Sequence, residues 1–189
     1  MATDFEGFTK IPRLSRECVV TEKIDGTNAQ VHVLEDGTVL AGSRNRYITP
    51  ADDNYGFAAW VKAHEDALRD GLGVGRHFGE WWGQGIQRGY GIDHKRFSLF
   101  NVSRWTIETT PACCHVVPII CTGVFDGSVT ERALESLATF GSFAAPGFMK
   151  PEGIVIYHMA ARSLFKKTLI GDAEPKGQQR ATAGARHGY

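Results

Sequence analysis

Residues 17–34, ECVVTEKIDGTNAQVHVL, contain two strand-like segments on either side of a sharp turn. Glu17–Lys23 is an apolar run, and residues 28–34 alternate apolar and polar side chains with a period of two. Lys23 ends the first segment, and Asp25-Gly26 supplies the turn. A side chain at such a junction can be directed into a cleft by the scaffold around it. Taken alone, the K-x-D-G pattern is more commonly an exposed lysine before a β-turn.

The surrounding sequence adds one hairpin, two helices and several short strands. An Asp36-Gly37 turn followed by TVLAGS predicts the hairpin, helical spacing of apolar residues predicts one amphipathic helix within residues 54–72, and a capping box from Ser128 to Glu131 predicts a second helix after Ser128. The other strand-like runs are RHFGEWW, FSLFNV, HVVPIICTG, GIVIYH and RSLFKKTLI. Strands that mostly do not alternate with helices predict an α+β fold with antiparallel sheets flanked by helices.

Composition restricts the classes of protein to consider. The 189 residues fit one domain, which we expect over residues 1–170, with a polar tail over residues 171–189. Because 21 basic residues balance 21 acidic ones, contact with nucleic acid has to come from a local patch. The four cysteines lack C-x-x-C spacing. Without an apolar stretch of signal or membrane length, we expect no membrane contact and a cytoplasmic location.

Five further short motifs follow Lys23 along the chain. They are G-S-R-N-R at residues 42–46, F-G-E-W-W-G-Q-G-I-Q at 78–87, F-S-L-F-N at 97–101, E-G-I-V at 152–155 and F-K-K at 165–167. In this order they resemble the motifs of the covalent nucleotidyltransferase superfamily of ligases and mRNA-capping enzymes. The G-E-x-x-G-x-G-I-Q segment is most similar to the ATP-dependent RNA ligases that seal nicks, the branch that includes RNA-editing ligases. The resemblance extends over most of the chain.

This resemblance implies a catalytic domain of the ligase and capping-enzyme type. Its expected activity is to join RNA 5′-phosphate and 3′-hydroxyl ends through a covalent lysyl-AMP intermediate, as in RNA repair, with ATP as substrate and Mg²⁺ or Mn²⁺ as metal. Lys23 would be the nucleophile. The implied ATP-binding residues are Glu22, Lys23, Arg44, Glu80, Phe100, Glu152 and Lys166. The implied RNA-end-binding residues are Asn28, Arg44 and Arg46, and Glu152 would also bind the metal.

Several individual roles follow from the same resemblance. Glu80 would bind a ribose hydroxyl, Phe100 would stack on adenine, and Lys166 would contact the α-phosphate. These residue types suit that chemistry, because cations stabilise developing phosphate charge and a carboxylate such as that of Glu152 is a hard ligand for Mg²⁺. Each residue also has a plain structural interpretation: Glu80 as the polar face of a strand, Phe100 as core, and Arg44 as a solvated side chain.

Three departures from the family pattern leave alternatives open. Asp25 stands where some nick-sealing RNA ligases carry histidine, so a DNA ligase or a capping guanylyltransferase is one alternative. The last motif reads Lys166-Lys167-Thr168 where Lys-x-Lys is usual. Nothing after Ile170 could form the added C-terminal domain of larger ligases, so a separate protein could supply the grip on nucleic acid. A non-catalytic module that binds nucleotides or RNA ends is the alternative from another class.

Strand geometry makes the departure in the last motif testable. Because side chains alternate along a strand, Lys166 and Thr168 are expected on one face and Lys167 on the other. We therefore expect Lys166 to meet the α-phosphate and Lys167 to lie near the surface or the RNA.

Overall fold

The computed structural model describes residues 4–171, which form two sheets and three helices. In chain order the strands are β1 (Glu17–Lys23), β2 (Thr27–Val33), β3 (Val39–Gly42), β4 (Tyr47–Ile48), β5 (Gly75–Gly83), β6 (Lys95–Leu99), β7 (His115–Val116), β8 (Ile119–Val124), β9 (Gly153–His158) and β10 (Ser163–Thr168). The helices are α1 (Phe57–Ala63), α2 (Glu65–Leu72) and α3 (Gly127–Phe140). Both sheets are almost wholly antiparallel, which confirms the predicted α+β class with flanking helices.

The smaller sheet has four strands in the order β10-β9-β1-β8. One of its faces packs against α3: Cys18 and Val20 of β1, and Ile154 and Ile156 of β9, form a buried cluster with apolar residues of that helix. Strand β1 has the bounds predicted from the sequence. Because its side chains alternate, Lys23 lies on the opposite face from α3.

The larger sheet has six strands in the order β4-β3-β2-β5-β6-β7, with only β6 and β7 parallel among the described strands. The predicted hairpin is present as β2 and β3. Ala29, Val31 and Val33 of β2 turn to the face that packs on α1 and α2. The alternate residues of β2 and β5, among them Asn28 and Glu80, therefore share the other face, where they are direct cross-strand neighbours.

Two helix predictions need correction. The single helix predicted over residues 54–72 is instead α1 and α2, separated at His64, whose backbone departs from helical geometry. The break still lets Phe57 and Leu68, one from each helix, enter the same core. Helix α3 begins one residue before Ser128, and its N-cap is Asp126, whose carboxylate accepts a hydrogen bond from the Val129 amide. Ser128 donates to Asp126 and is not the cap.

The chain passes between the two sheets at two adjacent places. Residues 24–26 connect β1 to β2, and residues 117–118 connect β7 to β8. The Glu22 amide donates to the Pro118 carbonyl at 3.0 Å, so the two crossings lie side by side. Ile24 and Val117, one from each crossing, are buried in one small cluster with Trp82 and Tyr90. The junction of the sheets is therefore a packed region.

No helix among residues 4–171 has the length and apolar character needed to cross a membrane. The predicted tail, residues 171–189, lies outside the described residues apart from its first position.

Candidate active site

Lys23 and Glu152 form an ion pair at the end of β1. Glu152 immediately precedes β9, and Lys23 is the cross-strand partner of Gly153, so the sheet register brings the two side chains together. The side chain of Glu152 is only 3% exposed and that of Lys23 is 18% exposed. Strand pairing thus joins two residues that are 129 positions apart in the sequence.

Glu80 receives hydrogen bonds from both sides of the turn that follows Lys23. Its Oε1 accepts from the Gly26 amide at 3.0 Å, and its Oε2 accepts from the side-chain amide of Asn28 at 3.3 Å. Burial is the main cause that raises the pKa of Glu80, to about 7, against the opposing effects of the Gly26 bond and of Lys23. A buried carboxylate whose pKa lies near neutral pH is typical of a functional site.

Gly26 allows this close approach between the turn and β5. A Cβ atom at position 26 would stand 2.4 Å from the Trp81 carbonyl oxygen and 2.7 Å from the Trp82 Cβ. Any side chain there would force the turn away from β5. The glycine of K-x-D-G is therefore required by packing.

A small cavity on the same face of the larger sheet gathers four of the relevant residues. It has a volume of about 140 Å³ and is lined in part by Asn28, Arg44, Phe78 and Phe100. Phe100 is 41% exposed and Phe78 is 54% exposed, so both rings are accessible to a ligand. Two accessible aromatic rings near an arginine suit a ligand that has both a planar ring and negative charge, such as a nucleotide. The sequence analysis missed Phe78, although its spacing of two from Glu80 on one strand could have identified it.

A larger cavity begins beside the same face. Its volume is about 660 Å³, and its lining includes Ser98, the cross-strand neighbour of Glu80, together with Trp82, Arg96 and His115. The lining contains none of the predicted site residues. The residues that carry the predicted chemistry are therefore associated with the smaller cavity and the β1 turn.

The register of β10 agrees with the predicted faces of its two lysines. Lys166 is paired with Val155, which is paired with Thr21, so Lys166 shares the face of the sheet that carries Lys23. Lys167 is paired with Ile154, whose side chain packs on α3. The contact of Lys166 with the α-phosphate stays a prediction. It would require Lys166 to lie on the same face of the sheet as Lys23, and Lys166 lies on that face.

Two other predicted residues have different surroundings. The carboxylate of Glu22 lies on the α3 face, away from the side chain of Lys23, and accepts hydrogen bonds from the Ser142 hydroxyl and from two backbone amides of the same segment. Burial raises its pKa. Arg46 makes an exposed two-bond ion pair with Asp52, in which Nη2 lies 2.9 Å from Oδ1. Their roles with ATP and RNA stay predictions.

The glycine-rich loop between β5 and β6 comprises residues 84–94. In the structure it contacts the turn after Lys23 through two side chains, those of Arg88 and Tyr90. Arg88 Nε donates to Asp25 Oδ2 at 2.9 Å, and the Asp25 amide donates to the Tyr90 hydroxyl at 2.8 Å. Neither contact has a signal in the sequence, because more than sixty residues separate the partners.

A divalent metal fits this donor chemistry if the nucleotide shares in binding it. Among residues 4–171, no group of three or more His, Cys, Asp or Glu side chains is arranged to hold a metal ion. Mg²⁺ is commonly bound by one or two carboxylates together with substrate phosphates. The buried carboxylate of Glu152 is a suitable ligand of that kind.

The sequence matches the family model described as RNA ligase over residues 16–168. No curated protein matches it significantly. Among solved structures, it is similar to Naegleria gruberi RNA ligase with PPi at a TM-score of 0.58 and 18% identity, covering 82% of this chain and 50% of that one. A mutant of that ligase with ATP and Mn gives a TM-score of 0.57 at 17% identity, with 82% and 49% covered. An apo mutant gives 0.58 at 20% identity, with 82% and 50% covered.

The chain spans about half the length of these ligase structures. At identities of 20% or less, the likeness concerns the fold.

Proposed function

The chain belongs to the RNA ligase family, and on this basis we propose that it is an ATP-dependent RNA ligase that works through a covalent lysyl-AMP on Lys23. Residues 1–170 are its proposed adenylyltransferase domain. Its proposed substrates are ATP and RNA ends that carry a 5′-phosphate and a 3′-hydroxyl.

One observation carries the proposal. The ion pair between Lys23 and Glu152 lies at the start of the β1–β2 turn. The hydrogen bonds that Glu80 accepts come from Gly26 in that turn and from Asn28 just after it. Four residues implied separately by short motifs are thus connected through the β1–β2 turn. Asn28, which donates to Glu80, also lines the small cavity with the exposed rings of Phe78 and Phe100.

In the first transfer, the Lys23 amine attacks the α-phosphorus of ATP. The new N–P bond forms as the bond between the α-phosphorus and the bridging oxygen breaks, and pyrophosphate leaves with the electron pair. Lys23 must give up a proton for this attack, and the paired carboxylate of Glu152 is positioned to accept it. Lys166 and Arg44 provide positive charge for the α-phosphate oxygens.

The nucleotide is held by the other residues of the cleft. Phe100 stacks on adenine with Phe78 beside it, and Glu80 accepts a hydrogen bond from a ribose hydroxyl. A divalent ion, Mg²⁺ or Mn²⁺, held by Glu152 and phosphate oxygens, would neutralise phosphate charge. The titrating carboxylate of Glu80 makes this grip sensitive to pH near 7.

Two further transfers complete ligation. An oxygen of the RNA 5′-phosphate attacks the AMP phosphorus and releases the Lys23 amine. The RNA 3′-hydroxyl then attacks the activated 5′-phosphorus, which forms the phosphodiester and releases AMP. Asn28, Arg44 and Arg46 are the proposed contacts to the RNA end, and an accessory protein that improves the grip on RNA is part of the proposal.

Radiolabelled nucleotide tests the first transfer directly. Protein is incubated with α-labelled ATP or α-labelled GTP and Mg²⁺ or Mn²⁺ and resolved on a denaturing gel. Label from ATP that is lost when unlabelled pyrophosphate is added supports the ligase. Label from GTP would instead indicate a capping guanylyltransferase, and absence of label from either nucleotide would indicate a non-catalytic binding module.

A second measurement tests the polynucleotide. The adenylylated protein is mixed with a nicked RNA duplex, single-stranded RNA ends or the matching DNA nick, each with a 5′-phosphate and a 3′-hydroxyl. The proposal requires sealing of at least one RNA substrate. Sealing of the DNA nick alone would make the chain a DNA ligase.

A further inference from the structure

The glycine-rich loop connects the two segments that carry Lys23 and Glu152. Arg88 Nε donates to the carboxylate of Asp25 at 2.9 Å, two residues after Lys23. From the same guanidinium, Nη1 donates to the Lys150 carbonyl at 2.9 Å and to the Pro151 carbonyl at 3.5 Å, just before Glu152. The Arg88 side chain therefore binds both the turn after Lys23 and the segment before Glu152.

Tyr90 of the same loop provides a second connection to the turn after Lys23. Its hydroxyl accepts from the Asp25 amide at 2.8 Å, and its ring packs against Phe148 with centroids 4.7 Å apart. Tyr90 is 2% exposed and is also packed on Trp82. The loop is thus fixed to the core beside Arg88, which limits how far the guanidinium can move.

The backbone of the loop favours a single arrangement. Gln87 and Tyr90 have positive φ values of 46° and 53°, which side chains other than glycine adopt rarely, and Gly89 lies between them at 66°. Consecutive turns are closed by backbone bonds from Ile86 to Gly83 and from Gly89 to Ile86. A strained loop held by its surroundings is typical of segments that fix a functional geometry.

We propose that Arg88 is a positioning residue. It holds the turn after Lys23 against the segment before Glu152 and so keeps Lys23 Nζ aligned with the α-phosphate of ATP. The inference rests on the proposed function of Lys23. Arg88 is not a catalytic residue in this account, because it acts through Asp25 and the two carbonyl groups. A displacement of about 1 Å in a reacting group can reduce a rate roughly a hundredfold, so the loss of this clamp affects catalysis more than folding.

Arginine is the residue type that this position requires. The planar guanidinium presents several N–H donors in a fixed geometry and stays charged, so one group can bind a carboxylate and two carbonyl oxygens together. A lysine ammonium is a compact point charge on a flexible stem. Arg88→Lys is therefore expected to behave more like Arg88→Ala than like the wild type.

Arg69 offers a matched control elsewhere in the fold. It too joins a carboxylate and a carbonyl, with Nη1 2.8 Å from Asp66 Oδ1 and Nε 2.8 Å from the Gly37 oxygen. Its side chain is 36% exposed and that of Arg88 is 34% exposed. Arg69 links α2 to the β2–β3 turn and touches none of the site segments described above. Arg69→Ala therefore removes an equivalent clamp remote from Lys23.

The first measurement is the single-turnover rate of lysyl-AMP formation at several ATP concentrations. Arg88→Ala and Arg88→Lys should slow the maximal rate by about tenfold or more and leave the half-saturating ATP concentration within about threefold of the wild type. Arg69→Ala should stay within about twofold in both.

The second measurement does not depend on enzymatic activity. An amine-reactive reagent is applied without ATP, and labelling of Lys23 is followed by mass spectrometry with exposed Lys10 as internal reference. Arg88→Ala should speed Lys23 labelling by about threefold or more relative to Lys10, since the ion pair loses its support, and Arg69→Ala should not.

Both results are required. Unchanged Lys23 labelling, a maximal rate equal to that of the wild type, an effect confined to ATP affinity, or an equal loss in Arg69→Ala would each overturn the role of Arg88. If the wild type forms no adduct, the proposed function fails, and the labelling measurement alone decides whether Arg88 positions Lys23.

Discussion

The side-chain amide of Asn28 donates a hydrogen bond to Oε2 of Glu80 across the β2–β5 pair, at 3.3 Å. The resemblance to RNA ligases assigns these residues to different partners, the RNA end and the ribose. The bond connects the two proposed subsites directly. Binding of nucleotide at Glu80 can therefore alter the orientation of Asn28 before the RNA arrives.

Glu80 gives a prediction for stability against pH. Its pKa is raised to about 7 by burial, so between the usual value of 4.5 and about 7 the folded chain retains a proton that the unfolded chain releases. Its stabilising contribution is complete below pH 4.5 and is lost as pH rises through about 7. At about 1.4 kcal/mol per pKa unit, the loss is on the order of 3 kcal/mol.

Urea unfolding of wild type and Glu80→Gln from about pH 4.5 to about pH 8 measures this effect. Because glutamine does not titrate, the free energy of unfolding of the wild type should fall relative to that of the variant as pH rises. A difference that stays constant over this range would contradict the buried, protonated state of Glu80.

Lys23→Ala is expected to abolish covalent AMP while the chain still folds. Lys23→Arg should fail as well, because guanidinium stays protonated and cannot attack phosphorus. The structure adds that Lys23→Ala removes the cation facing the 3%-exposed side chain of Glu152, so its melting temperature should fall. Adding Glu152→Gln should recover part of that stability without restoring adenylylation. A covalent AMP on another residue in Lys23→Ala would refute the assignment of the nucleophile.

Asn28→Ala should separate the two halves of the reaction. Lys23-AMP formation should continue at close to the normal rate, since Glu80 keeps its bond from the Gly26 amide. Sealing of 5′-phosphate RNA by the pre-adenylylated protein should slow by about tenfold or more, a loss equivalent to 1.4 kcal/mol or more. Equal loss in both steps would mean that Asn28 serves Glu80 and the turn, not the RNA end.

Lys166→Ala and Lys167→Ala should differ strongly in adenylylation. Lys166 shares the sheet face of Lys23, and loss of a charge that stabilises the transition state typically costs on the order of 3 kcal/mol, a hundredfold or more in rate. Lys167 lies on the α3 side, so Lys167→Ala should keep most adenylylation and weaken RNA binding in a salt-dependent way. The reverse order of the two rates would show that Lys167 is the phosphate ligand.

Much of this arrangement could be predicted because it depends on local periodicity. Strand β1 follows from an apolar run, and the β2–β3 hairpin follows from alternation and an Asp-Gly turn. The opposite faces of Lys166 and Lys167 follow from alternation along one strand. Alternation also applies to Glu22, whose position next to Lys23 on a strand turns its carboxylate to the other face. The resemblance to a family motif had grouped Glu22 with the ATP contacts, and strand geometry alone could have separated the two side chains.

The remaining features depend on contacts between distant segments. The bond of Arg88 to Asp25 joins residues 63 positions apart, and its geometry is set by the turns of the glycine-rich loop. Residues 54–72 are likewise divided at His64 because two helices pack on one core. The spacing of apolar residues alone does not predict such a break. Local pattern thus indicated candidate residues, whereas tertiary packing determined how they are connected.

The two side-by-side crossings at residues 24–26 and 117–118 have a mechanical consequence for the cleft. When two sheets are joined along one line, rotation about that line displaces residues near it little and residues far from it most. The hydrogen bond from Glu22 to Pro118 fixes the crossings beside each other, next to Lys23. Any swing of one sheet against the other would therefore move the outermost strands most, while Lys23 stays near the axis of rotation.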